Sequence, residues 1–480
     1  MTGRSDPARR SDAAITAEFH EIEREILARR PEHSIDPSLD RIRALTELLG
    51  DPQRAYPVIH ITGTNGKTST ARMAETLLRV RGLRTGLFTS PHLVSMRERI
   101  CVDGEPVSRD RFIELYREIE PYLHLVDDKA QVRLSFFEVL VAMAFAAFAD
   151  APVDVAVIEV GMGGTWDNTN VADGAVAVIT PISIDHAQYL GDTVGAIAAD
   201  KAGIIKPGAV AVLARQPDDA TRALLHRVGE VGASAAREGI EFGVLSRELA
   251  VGGQRLAIRG LLGEYHDLFL PLFGSHQAGN AACALAAVEA FAGAAGPQDN
   301  PAALDAGLVA DAFAMMSSPG RLEIVRRSPL VLIDSAHNPG GMEASVQALT
   351  ESFGFGEVIA VLAVSADKDV AGILDQLEPV AAAVVVTANS SPRSMPAEQL
   401  AELARQIFGP DRVHTADRLD AAIDIAAGLA DESTAALGGL LPSDTEAGPA
   451  APRGTAVLIT GSVVTAGDAR LLLTGGGGAE

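Results

Sequence analysis

The chain has 480 residues, 47% of them hydrophobic but only 4% aromatic, and a formal net charge of −23. That length exceeds one ordinary core, so two or more domains built on Ala, Val, Leu and Ile are expected. The acidic balance weighs against nucleic acid and anionic membranes as partners, so an anionic ligand would have to be drawn in by local cations.

Residues 1–12 are polar, and helical spacing over Ile15–Arg29 ends at Arg30-Pro31. A β-branched run, Val58–Thr62, then leads through a Gly-rich turn into the helix-compatible Ala71–Arg81. Thr85–Thr89, Val153–Val160 and Ala175–Thr180 read as buried strands, with helices over Arg109–Tyr122 and Phe137–Ala149 between them. This alternation predicts a mostly parallel sheet covered on both faces. Val210–Leu213 continues it, Val244–Pro271 reads as an antiparallel region, and His276–Ala294 as an Ala-rich helix. Gly293–Asp305 has linker composition, which sets the expected division at 1–300 and 301–480. Leu330–Asp334, Val358–Val364, Ala382–Thr387 and Val457–Thr460 form a second α/β pattern, interrupted by a Gly/Pro/Ser/Thr-rich stretch, 431–454, expected to be a mobile loop. Cys101 and Cys283 show no pairing pattern, residues 1–30 lack an apolar signal region, and no uncharged apolar run reaches the ~20 residues that span a bilayer. A cytoplasmic chain with no membrane partner is the expectation.

The turn Gly63-Thr64-Asn65-Gly66-Lys67-Thr68 is a phosphate-binding loop. Glycines let successive N–H groups converge on phosphate oxygens, the helix N-terminus adds positive potential, Lys67 reaches the terminal phosphates and Thr68 can hold Mg²⁺. It is shorter than the usual pattern, which has a glycine where this chain has Ile61. Glu159 ends a strand beside Gly161-Met162-Gly163-Gly164, at the sheet edge where α/β folds bind ligands, and is suited to hold Mg²⁺. His186, after Asp185, shares that edge as a candidate metal ligand. Lys201 could be a surface ammonium or, if desolvated, a neutral amine able to take up CO₂ as a carbamate.

These motifs, with Thr89-Ser90-Pro91-His92, Glu98-Arg99-Ile100, Asp167-Asn168-Thr169-Asn170, Lys201-Ala202-Gly203-Ile204, Phe273–Ala281, Pro319–Glu323 and Asp334–Pro339 in that order, resemble the folylpolyglutamate synthase/dihydrofolate synthase family over about residues 35–467. The resemblance implies an α/β ligase with an N-terminal P-loop, Mur-ligase-like ATPase domain and a smaller C-terminal Rossmann-like α/β domain, closing on ATP. It further implies that Thr68, Ser90, Glu159 and His186 bind Mg²⁺ and that a carbamate on Lys201 positions a second magnesium. By the same resemblance Asn280 contacts adenine, Arg321 the phosphates, Asp334 the ribose side, and His337 lies near the incoming L-glutamate. Asp36, Pro37, Ser38 and Leu39, Ser135, Phe136, Phe137 and Glu138, and Trp166, Asp167 and Asn168 are matched to pteroate binding. The chain departs from the family pattern at Thr165-Trp166, at Asn168 and at Asp200, which stands where a Glu is usual.

A carboxylate is a poor electrophile, so the expected reaction passes the ATP γ-phosphoryl group to dihydropteroate or a reduced folate, and the amine of L-glutamate attacks the resulting acyl phosphate. Positioning and charge neutralisation suffice, and no nucleophilic Cys is required. The alternative is a Mur-type ligase acting on another carboxylate acceptor, but only about sixty residues precede the loop where those enzymes place a nucleotide-binding domain. A guanine-reading Asn-Lys-x-Asp is absent, which argues against a GTPase. A monomer is expected.

Overall fold

A computed structural model describes residues 11–31, 34, 36–295, 303–438 and 454–475. The first lobe is an eight-stranded sheet of β1 (Val58–Thr62), β2 (Thr85–Phe88), β3 (Ile100–Val102), β4 (Glu105–Pro106), β5 (Val155–Glu159), β6 (Gly174–Ile179), β7 (Val210–Leu213) and β8 (Ser234–Arg237). Its order is β4-β3-β2-β5-β1-β6-β7-β8. All neighbours from β2 to β8 are parallel, and the β2–β3 and β3–β4 pairs are antiparallel. A separate antiparallel sheet, β9 (Gly243–Ala250), β10 (Gly253–Arg259) and β11 (Glu264–Leu270), follows in the chain. The second lobe contains β12 (Glu323–Arg327), β13 (Leu330–Ile333), β14 (Glu357–Leu362), β15 (Ala381–Val386), β16 (Val413–Thr415) and β17 (Thr455–Thr460), ordered β12-β13-β17-β14-β15-β16. Only the β12–β13 pair in it is antiparallel.

Burial on both faces follows from the uninterrupted apolar strands. Val155 and Val157 point into one core with the helices Lys67–Val80 and Ser275–Ala295, while Ala156 and Ile158 point into another with Phe136–Asp150. The period of two divides one strand between two cores, and each fully buried aliphatic side chain contributes about 1.5–3 kcal/mol. In the second lobe Ile359 and Val361 face one core, Val358, Ala360 and Leu362 the other. The expected strands and helices of both lobes are present, with ends moved by at most five residues. Helix Arg109–Asp127, for example, runs through Pro121 and ends five residues beyond the predicted Tyr122.

Two boundaries differ from expectation. Leu304, Val309, Ala312, Phe313 and Met316 belong to the core of the first lobe, and the Leu304 N–H donates to the Tyr265 hydroxyl at 2.9 Å. By packing, then, the first lobe continues past residue 300; residues 296–302 of the expected linker lie outside those described. Of the expected loop 431–454, residues 431–438 complete the helix Leu419–Gly438, and 439–453 lie outside the described residues. Alanines at 430, 435 and 436 favour helix despite the polar composition that suggested a loop. Among the described residues, no helix is long and apolar enough to cross a membrane.

Candidate active site

The phosphate loop lies between β1 and its helix, at the carboxyl end of the parallel sheet. Gly66 has φ +88°, and a Cβ there would stand 2.4 Å from Asn280 Oδ1, so backbone conformation and the close approach of Asn280 both require glycine. Asn280 is itself held by its Nδ2, which donates to Gln277 Oε1 at 3.1 Å. The Lys67 ammonium donates to the Gly63 and Thr64 carbonyls, both at 3.2 Å, and Thr64 Oγ1 donates to the Ser183 carbonyl at 2.9 Å. Burial lowers the Lys67 pKa, Glu159 and Asp185 oppose this, and Arg321 and Lys368 reinforce it, so cations from both lobes converge on one point.

Glu159 ends β5, the neighbour of β1, and is 1% exposed. It accepts from the Thr68 hydroxyl at 2.9 Å and the Ser90 N–H at 3.3 Å. Burial still raises its carboxyl pKa despite Lys67 and these hydrogen bonds, leaving a desolvated anion that a cation would stabilise. Lys201 is 4% exposed and donates to the Gly63 carbonyl at 2.9 Å. Burial, with help from Lys67, brings its pKa down to about 7. Of the two readings of this lysine, surface ammonium and buried amine, the structure supports the second.

His186 adopts φ +53° in the loop after β6, and burial lowers its pKa to about 4 against the opposing charge of Asp185. Asp185 is one of the points where the lobes meet. Lys368 donates to it at 2.7 Å and Asn338 at 3.2 Å, while His337 Nε2 lies 3.6 Å away. Burial works against the Asp185 charge, yet the neighbouring His337, His186 and Lys368 outweigh it and hold the carboxyl well below its usual range. Asn338 also exchanges hydrogen bonds with Asn65 of the phosphate loop, at 3.2 and 3.3 Å.

A cavity of about 250 Å³ opens beside these groups. Ser90, Asp36, Ser135, Phe137, Trp166, Asp167 and Asn168 line it from the first lobe, with His186; His337, Lys368, Arg393 and Ser462 line it from the second. Phe136, Glu138, Pro37, Ser38 and Leu39, also matched to pteroate binding, are not in the wall. Phe136 lies under the Arg99 guanidinium, 5.0 Å from ring centroid to Cζ. Glu138 forms a capping box with Ser135 and an ion pair with Arg41 at 2.9 Å, an arrangement that starts the helix Phe136–Asp150. Ser38 accepts from the Asp40 N–H at 3.1 Å, and Leu39 packs on the adjacent core.

Two further expected contact residues are occupied inside the protein. Asp334 is 3% exposed and accepts from the N–H groups of Leu322 (3.0 Å) and Ala336 (2.9 Å) and from the Ser345 hydroxyl (2.7 Å). These bonds order the turn carrying Arg321, and Oδ2 accepts only the Leu322 N–H of the three. Asp167, though it borders the cavity, is spent on Met162 N–H, Thr169 N–H and the Thr169 hydroxyl, which fix the loop bearing Trp166. Lys368, Arg393 and Ser462 were missed in the sequence. Asp367-Lys368-Asp369, shortly after the carboxyl end of β14, was the available signal for the first. Cys101 and Cys283 are buried free thiols, and burial raises the pKa of each, that of Cys101 to about 12; neither is set up as a nucleophile. Among the described residues no cluster of three His, Cys, Asp or Glu could hold a metal, so a cation here would need hydroxyl or other ligands beside the carboxylate and imidazole groups.

Comparison with known proteins agrees with this geometry. Residues 112–288 match the Mur ligase middle domain, and residues 320–437 the Mur ligase, glutamate ligase domain. The dihydrofolate synthase/folylpolyglutamate synthase of Mycobacterium tuberculosis is 52% identical over 469 residues, covering 95% of this chain and 94% of that protein. The solved M. tuberculosis folylpolyglutamate synthase complexed with ADP superposes with a TM-score of 0.88 at 52% identity, over 96% of this chain and 99% of that one. The E. coli FolC structure in complex with DHPP and ADP superposes with a TM-score of 0.79 at 29% identity, over 95% and 98%. Two domains of one superfamily in the expected order, and full-length similarity in sequence and structure, place this chain in the dihydrofolate synthase/folylpolyglutamate synthase family of ATP-dependent Mur-type ligases.

Proposed function

We propose that the protein joins L-glutamate to dihydropteroate and to the γ-carboxylate of reduced folates, using ATP and passing through an acyl phosphate. The observation that carries this reading is the single cavity in which phosphate-loop neighbours, an aromatic wall and second-lobe cations meet. Phe137 and Trp166 offer flat apolar surface to a pterin-like ring, while Lys368 and Arg393 offer positive charge to the carboxylates of an incoming amino acid. Lys67 and Arg321 lie where phosphate charge would build, and the second lobe screens the acyl phosphate from water.

Thr68, Ser90, Glu159 and His186 are the residues that would hold Mg²⁺. The fit rests on the under-compensated Glu159 carboxylate and the neutral His186 imidazole. Magnesium would neutralise charge on the phosphates and stabilise the transferring group. Lys201, with its pKa lowered to about 7, carries a substantial neutral fraction near neutral pH and is chemically able to accept CO₂; its carbamate would add an anionic oxygen ligand for a second ion. ATP use, supported by the relatives' nucleotide complexes, fits a protein that works where cellular ATP is supplied. The test is ADP release from ATP with L-glutamate and, in turn, dihydropteroate, tetrahydrofolate or a muramyl nucleotide. Release dependent on the two pterin acceptors supports the reading; release only with the muramyl nucleotide overturns it.

A further inference from the structure

The loop between β2 and β3 belongs to the first lobe by sequence, yet one of its side chains is seated in the second. Leu93 packs on the core formed by Val331, Ile333, Val457 and Ile459. Two second-lobe glycines shape its seat. A Cβ at Gly467 would fall 1.9 Å from the Leu93 carbonyl oxygen, and a Cβ at Gly320 would stand 3.1 Å from Leu93 Cδ1. Any side chain at 467 would push the loop out.

The loop is rigid on its own side. The Glu98 carboxylate accepts from the N–H groups of Leu93, Val94 and Ser95 at 2.8, 3.0 and 2.7 Å. His92 accepts from Arg99 Nε at 2.9 Å, and the Arg99 guanidinium lies over Phe136, beside the aromatic wall. Ser90, three residues before Leu93, donates its N–H to Glu159. Gly320 immediately precedes Arg321, in a turn pinned by Glu323 and Ser335. A stiff lever therefore has the Glu159 partner at one end and the Arg321 turn under its knob.

We propose that Leu93 is a positioning residue: its seat against Gly320 and Gly467 sets Ser90 of one lobe and Arg321 of the other relative to the reacting phosphate, so that second-lobe docking and alignment of the phosphate site are one event. This rests on the ligase reading above. The side chain touches no substrate and acts through the residues it places.

The experiment compares Leu93→Ala, Leu93→Met and Gly467→Ala with the wild type. Leu93→Ala lowers kcat for acceptor-dependent ADP release about 10- to 100-fold, with KM for ATP moving by less than about threefold. Leu93→Met refills the seat and recovers to within about threefold of wild type. Gly467→Ala reproduces the Leu93→Ala defect from the opposite side of the contact. Unchanged kcat in Leu93→Ala, or a folded Leu93→Met as impaired as Leu93→Ala, overturns the proposal. Hydrogen exchange on the wild type gives a measurement independent of variant folding. A non-hydrolysable ATP analogue should slow exchange at residues 91–95 and 463–469 together, and a response in only one of the two segments overturns the coupling. A wild type that releases no ADP with either pterin acceptor would refute the function while leaving the exchange result to judge the seat.

Discussion

The two lobes supply the site in different ways. In the first, Lys67 and Thr68 start a helix, Glu159 ends the neighbouring strand and Lys201 ends a helix; Glu159 and Lys201 are buried, and all four are fixed by hydrogen bonds within that lobe. In the second, His337, Lys368 and Arg393 come from loops after three different strands, and the first two find their partner, Asp185, across the cleft. The first lobe's charged groups are thus held by its own framework, whereas His337 and Lys368 of the second are held by a contact across the cleft. On the ligase reading proposed above, phosphate chemistry rests on rigid elements and recognition of the incoming group on a surface completed by contact between the lobes.

The contrast predicts a hierarchy of defects. Lys67→Ala should be the most severe, cutting turnover by about 10³-fold or more with an unchanged melting curve, as read by ADP release and circular dichroism. Near-normal ligation by this variant would break the comparison at its base. Glu159→Gln should cost about 10²-fold in kcat without lowering the thermal midpoint, because burial already disfavours the charged form. A midpoint that falls sharply would mean the carboxylate is structural. Lys368→Met removes the 2.7 Å pair with Asp185 and should raise KM for L-glutamate about tenfold, with ADP affinity held, as measured by steady-state kinetics and calorimetry. An equal loss of nucleotide affinity would show that the lobes do not divide the work in this way.

pH dependence sharpens the same point. Lys201 titrates near 7 in the folded chain against 10.5 for the free side chain. Between those values the unfolded chain carries the extra proton, so this group makes stability rise with pH; below about 7 the penalty for burying it is complete. The neutral amine disappears as pH falls through about 7, so kcat should fall there too, and more steeply in CO₂-depleted buffer. A flat profile from pH 6 to 8 would remove the carbamate from the mechanism. The smallest effect is expected at Arg247, whose partly exposed ion pair with Glu351 links β9 to the helix Pro339–Ser352; Arg247→Met should cost less than about 1 kcal/mol in a denaturant melt.

What the sequence determined is what local chemistry can encode. Val58–Thr68 spells strand, turn and helix in consecutive residues, and short β-branched apolar runs bounded by turn residues favour buried strands, so the two parallel sheets and the phosphate loop were legible. Glu159 was legible because a strand's end faces the ligand edge whatever the rest of the fold does. Tertiary structure decided where long-range partners meet. Asp185 and Lys368 are 183 residues apart, and no periodicity reports that one will pair with the other. The same holds for the internal partners of carboxylates: the resemblance matched Glu138, Asp167 and Asp334 to ligand contacts, and the fold shows that each also accepts from backbone N–H groups brought close by folding. A buried donor cannot be left without an acceptor, and only the packed chain shows which acceptors remain free for a substrate.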